Sequence, residues 1–150
     1  MKTAVTTGGT DGTGHGLAPI HLQRGGRAVV VGTGQAKAGP GAWVIQTDLE
    51  LIDGNGRLTD PLSAGLDTID VLRRGAPLQR STRPDTADGV ESGFTLTHLS
   101  RFLGSHGLAG LLGRAADPVA LDLGGAGPVG SHLGAPARRL HDCTREVLAR

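Results

Sequence analysis

Thr7-Gly8-Gly9-Thr10-Asp11-Gly12-Thr13-Gly14 stands directly after a short β-forming run, Lys2 to Thr6, and its residue types and spacing suit one task, the holding of a pyrophosphate. Glycines let the backbone approach a ligand closely. Unpaired amide N–H groups where a helix opens, with the helix dipole behind them, attract phosphate oxygens. A glycine loop carries this meaning when it follows a strand and opens a helix inside a βαβ unit, and the surrounding sequence provides both.

Other chemistry-bearing groups point to less. His98 and His106 are eight residues apart on one helical stretch, about 12 Å along a helix axis, too far to share a zinc ion. His141-Asp142-Cys143 gathers the types of a catalytic triad, but adjacent residues on a helix face different directions and cannot meet. Arg73, Arg74, Arg80 and Arg83 read as a basic, solvated loop, of which Arg73 or Arg74 would lie near the nucleotide. Gly32-Thr33-Gly34 lacks the strand, loop and helix order that a second phosphate loop needs.

The elements that position the first loop follow from periodicity. A strand over about residues 2–6 leads to a helix over about 13–24, in which Pro19 is expected in or near the first turn, where its missing N–H does no harm. Ala28-Val29-Val30-Val31 is a continuous apolar run typical of a parallel strand buried on both faces. Trp43-Val44-Ile45 is a third strand, and residues 51–64, with Gly54, Gly56 and Pro61, predict a short or broken helix. Residues 68–72 form a fourth strand, 73–86 a loop, and 119–123 a fifth strand. Between the last two, Val90, Phe94, Leu99, Phe102, Leu103, Leu108, Leu111 and Leu112 recur at helical intervals and predict the longest helix, over about 88–114. A final helix is expected over about 136–148. Alternation of strand and helix predicts an α/β fold: a Rossmann-like open parallel sheet of about five strands with flanking helices. Five strands are fewer than two βαβαβ halves supply.

The loop spacing Thr-Gly-x-x-x-Gly-x-Gly resembles the cofactor motif of the short-chain dehydrogenase/reductase family. Asp48-Leu49 is similar to the family's adenine-contacting aspartate after the third strand, and residues 88–112 resemble its long interface helix. The likeness covers about residues 1–125. It implies that Thr7, Gly8, Thr10, Asp11, Gly12, Thr13, Gly14, Thr33, Lys37, Asp48, Leu49 and Arg73 hold NAD or NADP. Cofactor choice is read after the second strand, where a carboxylate favours the 2′-hydroxyl of NAD and basic residues the 2′-phosphate of NADP. Residues 32–37 carry no carboxylate, Thr33 stands where arginine is common in NADP-preferring relatives, and Lys37 can supply a charge, so NADP is slightly favoured.

The resemblance also implies catalytic roles that this chain leaves vacant. Arg73-Arg74-Gly75-Ala76 stands where the family has Asn-Asn-Ala-Gly, Thr97 replaces an asparagine, and Gly124 or Gly125 falls at the serine. The Tyr-x-x-x-Lys pair is absent, because the chain has no tyrosine and its only lysines are Lys2 and Lys37. A positioned proton donor is worth typically about 10²–10⁴ in rate. Ser131 or His132, in the loop beyond the fifth strand, is the candidate for a substitute acid near the vacant serine position.

A chain of 150 residues is one domain's length. Residues 1–128 are expected to form the dinucleotide-binding domain, with 129–150 a divergent loop and helix. A net charge of +1 from 15 basic and 14 acidic residues offers no field for nucleic acid or an anionic membrane. No apolar run reaches the roughly 18 residues of a membrane span. One cysteine, Cys143, and no secretory leader predict a cytoplasmic protein. Glycine, 26 of 150 residues, is more than twice its usual level of about 7% and predicts marginal stability. The reading is a truncated, catalytically depleted oxidoreductase relative. Two alternatives stand beside it: a binding or regulatory module that forms homo- or hetero-oligomers through helix 90–112, and a decayed product whose C-terminus reflects a frameshift.

Overall fold

A computed structural model describes residues 1–34, 40–76 and 82–123. Five parallel strands form one sheet in the order β3-β2-β1-β4-β5, with β1 at Thr3–Thr7, β2 at Arg27–Gly32, β3 at Trp43–Gln46, β4 at Val71–Arg74 and β5 at Val119–Asp122. The expected open parallel sheet is therefore present. Two helices, α1 (Gly12–Gln23) and α2 (Ile52–Gly65), follow β1 and β3. A third helical stretch precedes β5 and runs on without a break through α3 (Ser92–Phe94), a π-helical turn (Thr95–Leu99) and α4 (Ser100–Leu112).

The apolar strand runs account for the layers. On one face Val5, Val29, Val31, Ile45 and Leu72 pack against Leu58 and Leu62 of α2 and Leu108 and Leu111 of α4. On the other, Ala28 and Val30 meet Ala18 of α1. Every residue of β1 is buried, as both-face coverage requires. In β5, by contrast, Ala120 and Asp122 are exposed.

Several expectations are corrected. Residues 52–65 form one continuous helix rather than a short or broken one. Gly54 is needed there, because a Cβ would lie 2.9 Å from the Asp48 carbonyl carbon where the helix starts against the chain leaving β3. Burial of Leu58 and Leu62 outweighs the hydrogen bond lost at Pro61. Pro19 lies mid-helix in α1, not in its first turn. The fourth strand starts at Val71 and takes in Arg73 and Arg74, which the polar character of 73–86 had placed in a loop.

The long helix begins at Ser92 and ends at Leu112, inside the expected 88–114. Glu91 caps it by accepting from the N–H groups of Gly93 (3.1 Å) and Phe94 (2.8 Å). Its buried residues are Ser92, Thr95, Ser100, Gly104, Leu108 and Leu111. In an uninterrupted α-helix a step of five residues turns about 140° past alignment. The π turn, in which Ser100 N–H reaches Thr95 C=O, restores Thr95 and Ser100 to one face. Phe94 and Phe102, two of the apolar residues that recur at helical intervals, are about half exposed. The expected helix over 136–148 lies outside the described residues, as do Ser131, His132, His141, Asp142, Cys143, Lys37 and Arg80.

Candidate functional site

The glycine loop joins β1 to α1 at the carboxyl end of the sheet, beside the point where strand order reverses between β1 and β4. In open α/β sheets ligands bind in that crevice. Gly75 N–H donates to Thr7 C=O at 3.0 Å and Gly9 N–H to Val31 C=O at 3.1 Å, pinning the loop to β4 and β2. Gly8 has φ +67° and passes so close to β4 that a Cβ would lie 2.6 Å from the Gly75 carbonyl carbon. A Cβ on Gly14 would lie 2.5 Å from Gly8 O, so that glycine lets α1 start tightly under the loop. Gly12 has φ +51° and open space beyond it. Two glycines thus serve backbone packing, and the third fronts open space.

The polar members of the loop divide. Thr7 and Thr10 are buried, and Thr10 packs over Gly32, where a Cβ would lie 2.9 Å from Thr10 Cγ2. Thr13 is exposed. Asp11 is the N-cap of α1, its Oδ1 accepting from Gly12 N–H at 2.9 Å.

A cleft of about 400 Å³ opens along the ends of β2 and β3, lined by Thr33, Gln46, Thr47, Asp48, Leu51, Asp53, Gly54 and Arg57. Asp48 is exposed and its Oδ1 accepts from Glu50 N–H at 2.9 Å. Leu49 is buried in the core, and its carbonyl accepts from Asn55 Nδ2 at 3.0 Å. Thr47 donates to Gly54 C=O at 2.8 Å, and Gln46 to Thr33 C=O at 3.0 Å. Arg57 pairs with Asp53 one helical turn away, at 2.5 Å. The sequence-predicted residues of the loop, Thr33 and Asp48 therefore share the carboxyl edge of the sheet, whereas Lys37 lies outside the described residues.

Arg73 sits elsewhere. Its register places it beside Thr6 and Leu121, it is 1% exposed, and its charge is felt by His21, at the far end of α1 from the loop. Burial alone lowers its pKa to about 10, and its Nε has no hydrogen-bond partner. His21 is itself buried, with Nε2 2.9 Å from Lys2 C=O, which it can reach only as a donor. Burial lowers its pKa below 6.5, with the Arg73 charge adding to the effect and the Lys2 hydrogen bond opposing it.

The ends of β4 and β5 hold a cluster that sequence reading missed. Arg74 meets the Asp122 carboxylate through Nε–Oδ1 at 2.9 Å and Nη2–Oδ2 at 3.0 Å. It also donates to the Arg101 carbonyl at 3.2 Å and to the Ser105 hydroxyl. Arg101 donates to Leu123 C=O at 3.0 Å and lies 3.8 Å from Asp122. Pairing across β4, β5 and α4 carries no short-range sequence signal. Among the described residues no group of three or more histidine, cysteine or acidic side chains could hold a metal ion, and no helix is long and apolar enough to cross a membrane.

No protein-family model matches the chain, and no curated protein does. Solved structures do. The RhlG/NADP active-site complex of Pseudomonas aeruginosa matches at TM-score 0.69 and 21% identity over 97% of this chain and 65% of that one. A short-chain dehydrogenase/reductase family protein matches at TM-score 0.65 and 24% identity over 99% and 67%. An NADH-dependent reductase, A1-R', complexed with NAD, matches at TM-score 0.68 and 18% identity over 99% and 72%. These likenesses establish a short-chain dehydrogenase/reductase fold. The chain spans about two thirds of the length of the first two.

Proposed function

We propose that this chain binds a nicotinamide dinucleotide across the carboxyl edge of its sheet and, by itself, carries out little or no hydride transfer. The observation that carries the binding is the glycine loop: Gly8 pressed against Gly75, Gly14 under the loop, and open space before Gly12 leave a cradle that side chains would fill. Thr7, Gly8, Thr10, Asp11, Gly12, Thr13 and Gly14 would form it, with Thr33, Asp48 and Leu49 at the adenosine end. NADP or NAD would supply the hydride chemistry. Two of the three structures above carry such a cofactor in their descriptions.

Weak catalysis rests on the inventory and on the cluster. The chain has no tyrosine to donate a proton, and the ends of β4 and β5 are occupied by Arg74, Asp122 and Arg101 held to one another. Calorimetric titration with NADH and NADPH, alongside a Gly12→Asp variant, tests the reading. The expected result is saturable binding that the added carboxylate weakens at least tenfold, with melting lowered only slightly by the left-handed backbone at that position. No heat at millimolar cofactor, or an unaffected variant, would overturn it.

A second reading, a module that assembles with another copy or with a complete reductase, is favoured by one surface. Phe94 stacks on His98 at 5.1 Å and Phe102 meets His106 at 4.4 Å, forming an exposed aromatic stripe along α3, the π turn and α4. Light scattering after size exclusion, with a Phe94→Ser/Phe102→Ser variant, tests it. A monomer at every concentration, alone and with a full-length reductase, would remove it.

A further inference from the structure

We propose that the cleft between β2, β3 and α2 admits an adenosine ribose with a free 2′-hydroxyl and rejects one carrying a 2′-phosphate, so that NAD is preferred over NADP. The inference rests on the dinucleotide reading above and reverses the slight lean to NADP that residues 32–37 suggest.

The end of β2 is where the ribose is read, and Thr33, the residue there, lines the cleft together with Asp48, Asp53 and Arg57. Thr33 brings no charge. Asp48 and Asp53 bring two negative charges, and the single cation among the described lining residues, Arg57, is paired with Asp53 at 2.5 Å. The described lining therefore carries a net charge of −1, from two carboxylates and one guanidinium. A 2′-phosphate adds a charge of nearly −2 and would have to compete with Asp53 for the only guanidinium of the described lining, in a cleft that also holds Asp48. A 2′-hydroxyl can donate to a carboxylate instead. The selective groups would thus come from the end of β3 and the first turn of α2, in place of a carboxylate at the end of β2.

Asp53 is the informative position. Asp53→Asn removes a negative charge and takes from Arg57 the carboxylate it pairs with. A released guanidinium can bind phosphate in a bidentate manner.

Calorimetry with NAD and NADP on the wild-type chain, Asp53→Asn, Asp53→Asn/Arg57→Ala and Lys37→Ala tests the proposal. The wild type is expected to bind NAD at least tenfold more tightly than NADP. Asp53→Asn should narrow that gap about tenfold by strengthening NADP binding, and the double variant should reopen it. Equal or tighter NADP binding by the wild type, a gap unmoved by Asp53→Asn, or NADP affinity that depends on Lys37 would each overturn it. If neither dinucleotide binds the wild type, the cofactor reading falls first and this one with it, a result distinct from binding without the stated preference.

Discussion

The Asp11 carboxylate accepts a hydrogen bond from the Gly12 N–H at 2.9 Å and so occupies one of the amides that a pyrophosphate would use. The same charge that caps α1 repels the ligand proposed for its N-terminus. Two unit charges 4 Å apart in water interact by about 1 kcal/mol. Asn is as good an N-cap as Asp. Asp11→Asn is predicted to strengthen dinucleotide binding about fivefold with little change in melting temperature, as measured by calorimetry and thermal unfolding; weaker binding would contradict this.

His21 couples stability to pH. The folded pKa lies below the unfolded 6.5, so the unfolded chain keeps its proton to higher pH than the folded chain does. Stability is then complete above about pH 6.5 and declines as the pH falls from there toward the lowered folded value. A His21→Gln variant, which can still donate to Lys2 C=O, should lose this component of the decline. Melting temperatures from pH 7.5 to 5 would show a flatter profile for the variant.

Helix-interior glycines are not equivalent. A Cβ on Gly16 or Gly110 meets nothing within 4 Å, whereas one on Gly107 would lie 2.6 Å from Thr59 Oγ1, where α4 packs on α2. Gly16→Ala and Gly110→Ala are each predicted to stabilise by about 0.5–1 kcal/mol. That corresponds to roughly 1–4 °C in a chain of this size. Gly107→Ala should be neutral or destabilising, and a differential melt of the three variants decides.

Asp122 holds the sheet's outer strand to the helix layer. Its side chain is 47% exposed, but Arg74, its partner, is only 15% exposed. Asp122→Asn should cost about 1–2 kcal/mol, between the 0.2–1 of exposed pairs and the 3–5 of buried ones. Urea unfolding of Asp122→Asn and Asp122→Asn/Arg74→Met would separate the lost attraction from the stranded charge, with the double variant expected to be the less destabilised.

The beginning of the fold was legible because its signals are local. Val29, Val30 and Val31 form an apolar run, the glycine spacing marks a tight turn, and both retain their meaning without knowledge of distant residues. Asp48 came from resemblance to a family motif, and it stands at the carboxyl edge of the sheet beside the cleft. The misreadings share a different cause. Gly54 and Pro61 break helices on average, but the close approach of Asp48 and the burial of Leu58 and Leu62 were invisible along the chain. Arg73 and Arg74 resembled a loop until their partners across the sheet were known. The proposed discrimination by Asp53 and Arg57 depends on a helix start that proline and glycine had obscured.

The π turn at Thr95–Leu99 makes the length of that segment as consequential as its composition. A chain shorter by one residue there could close into plain α-helix with Leu108 and Leu111 still facing the core, whereas one longer by a residue would swing them some 100° around the axis. Single-codon insertions in this stretch, although Thr97 and His98 are exposed, would thus be far more damaging than single-codon deletions.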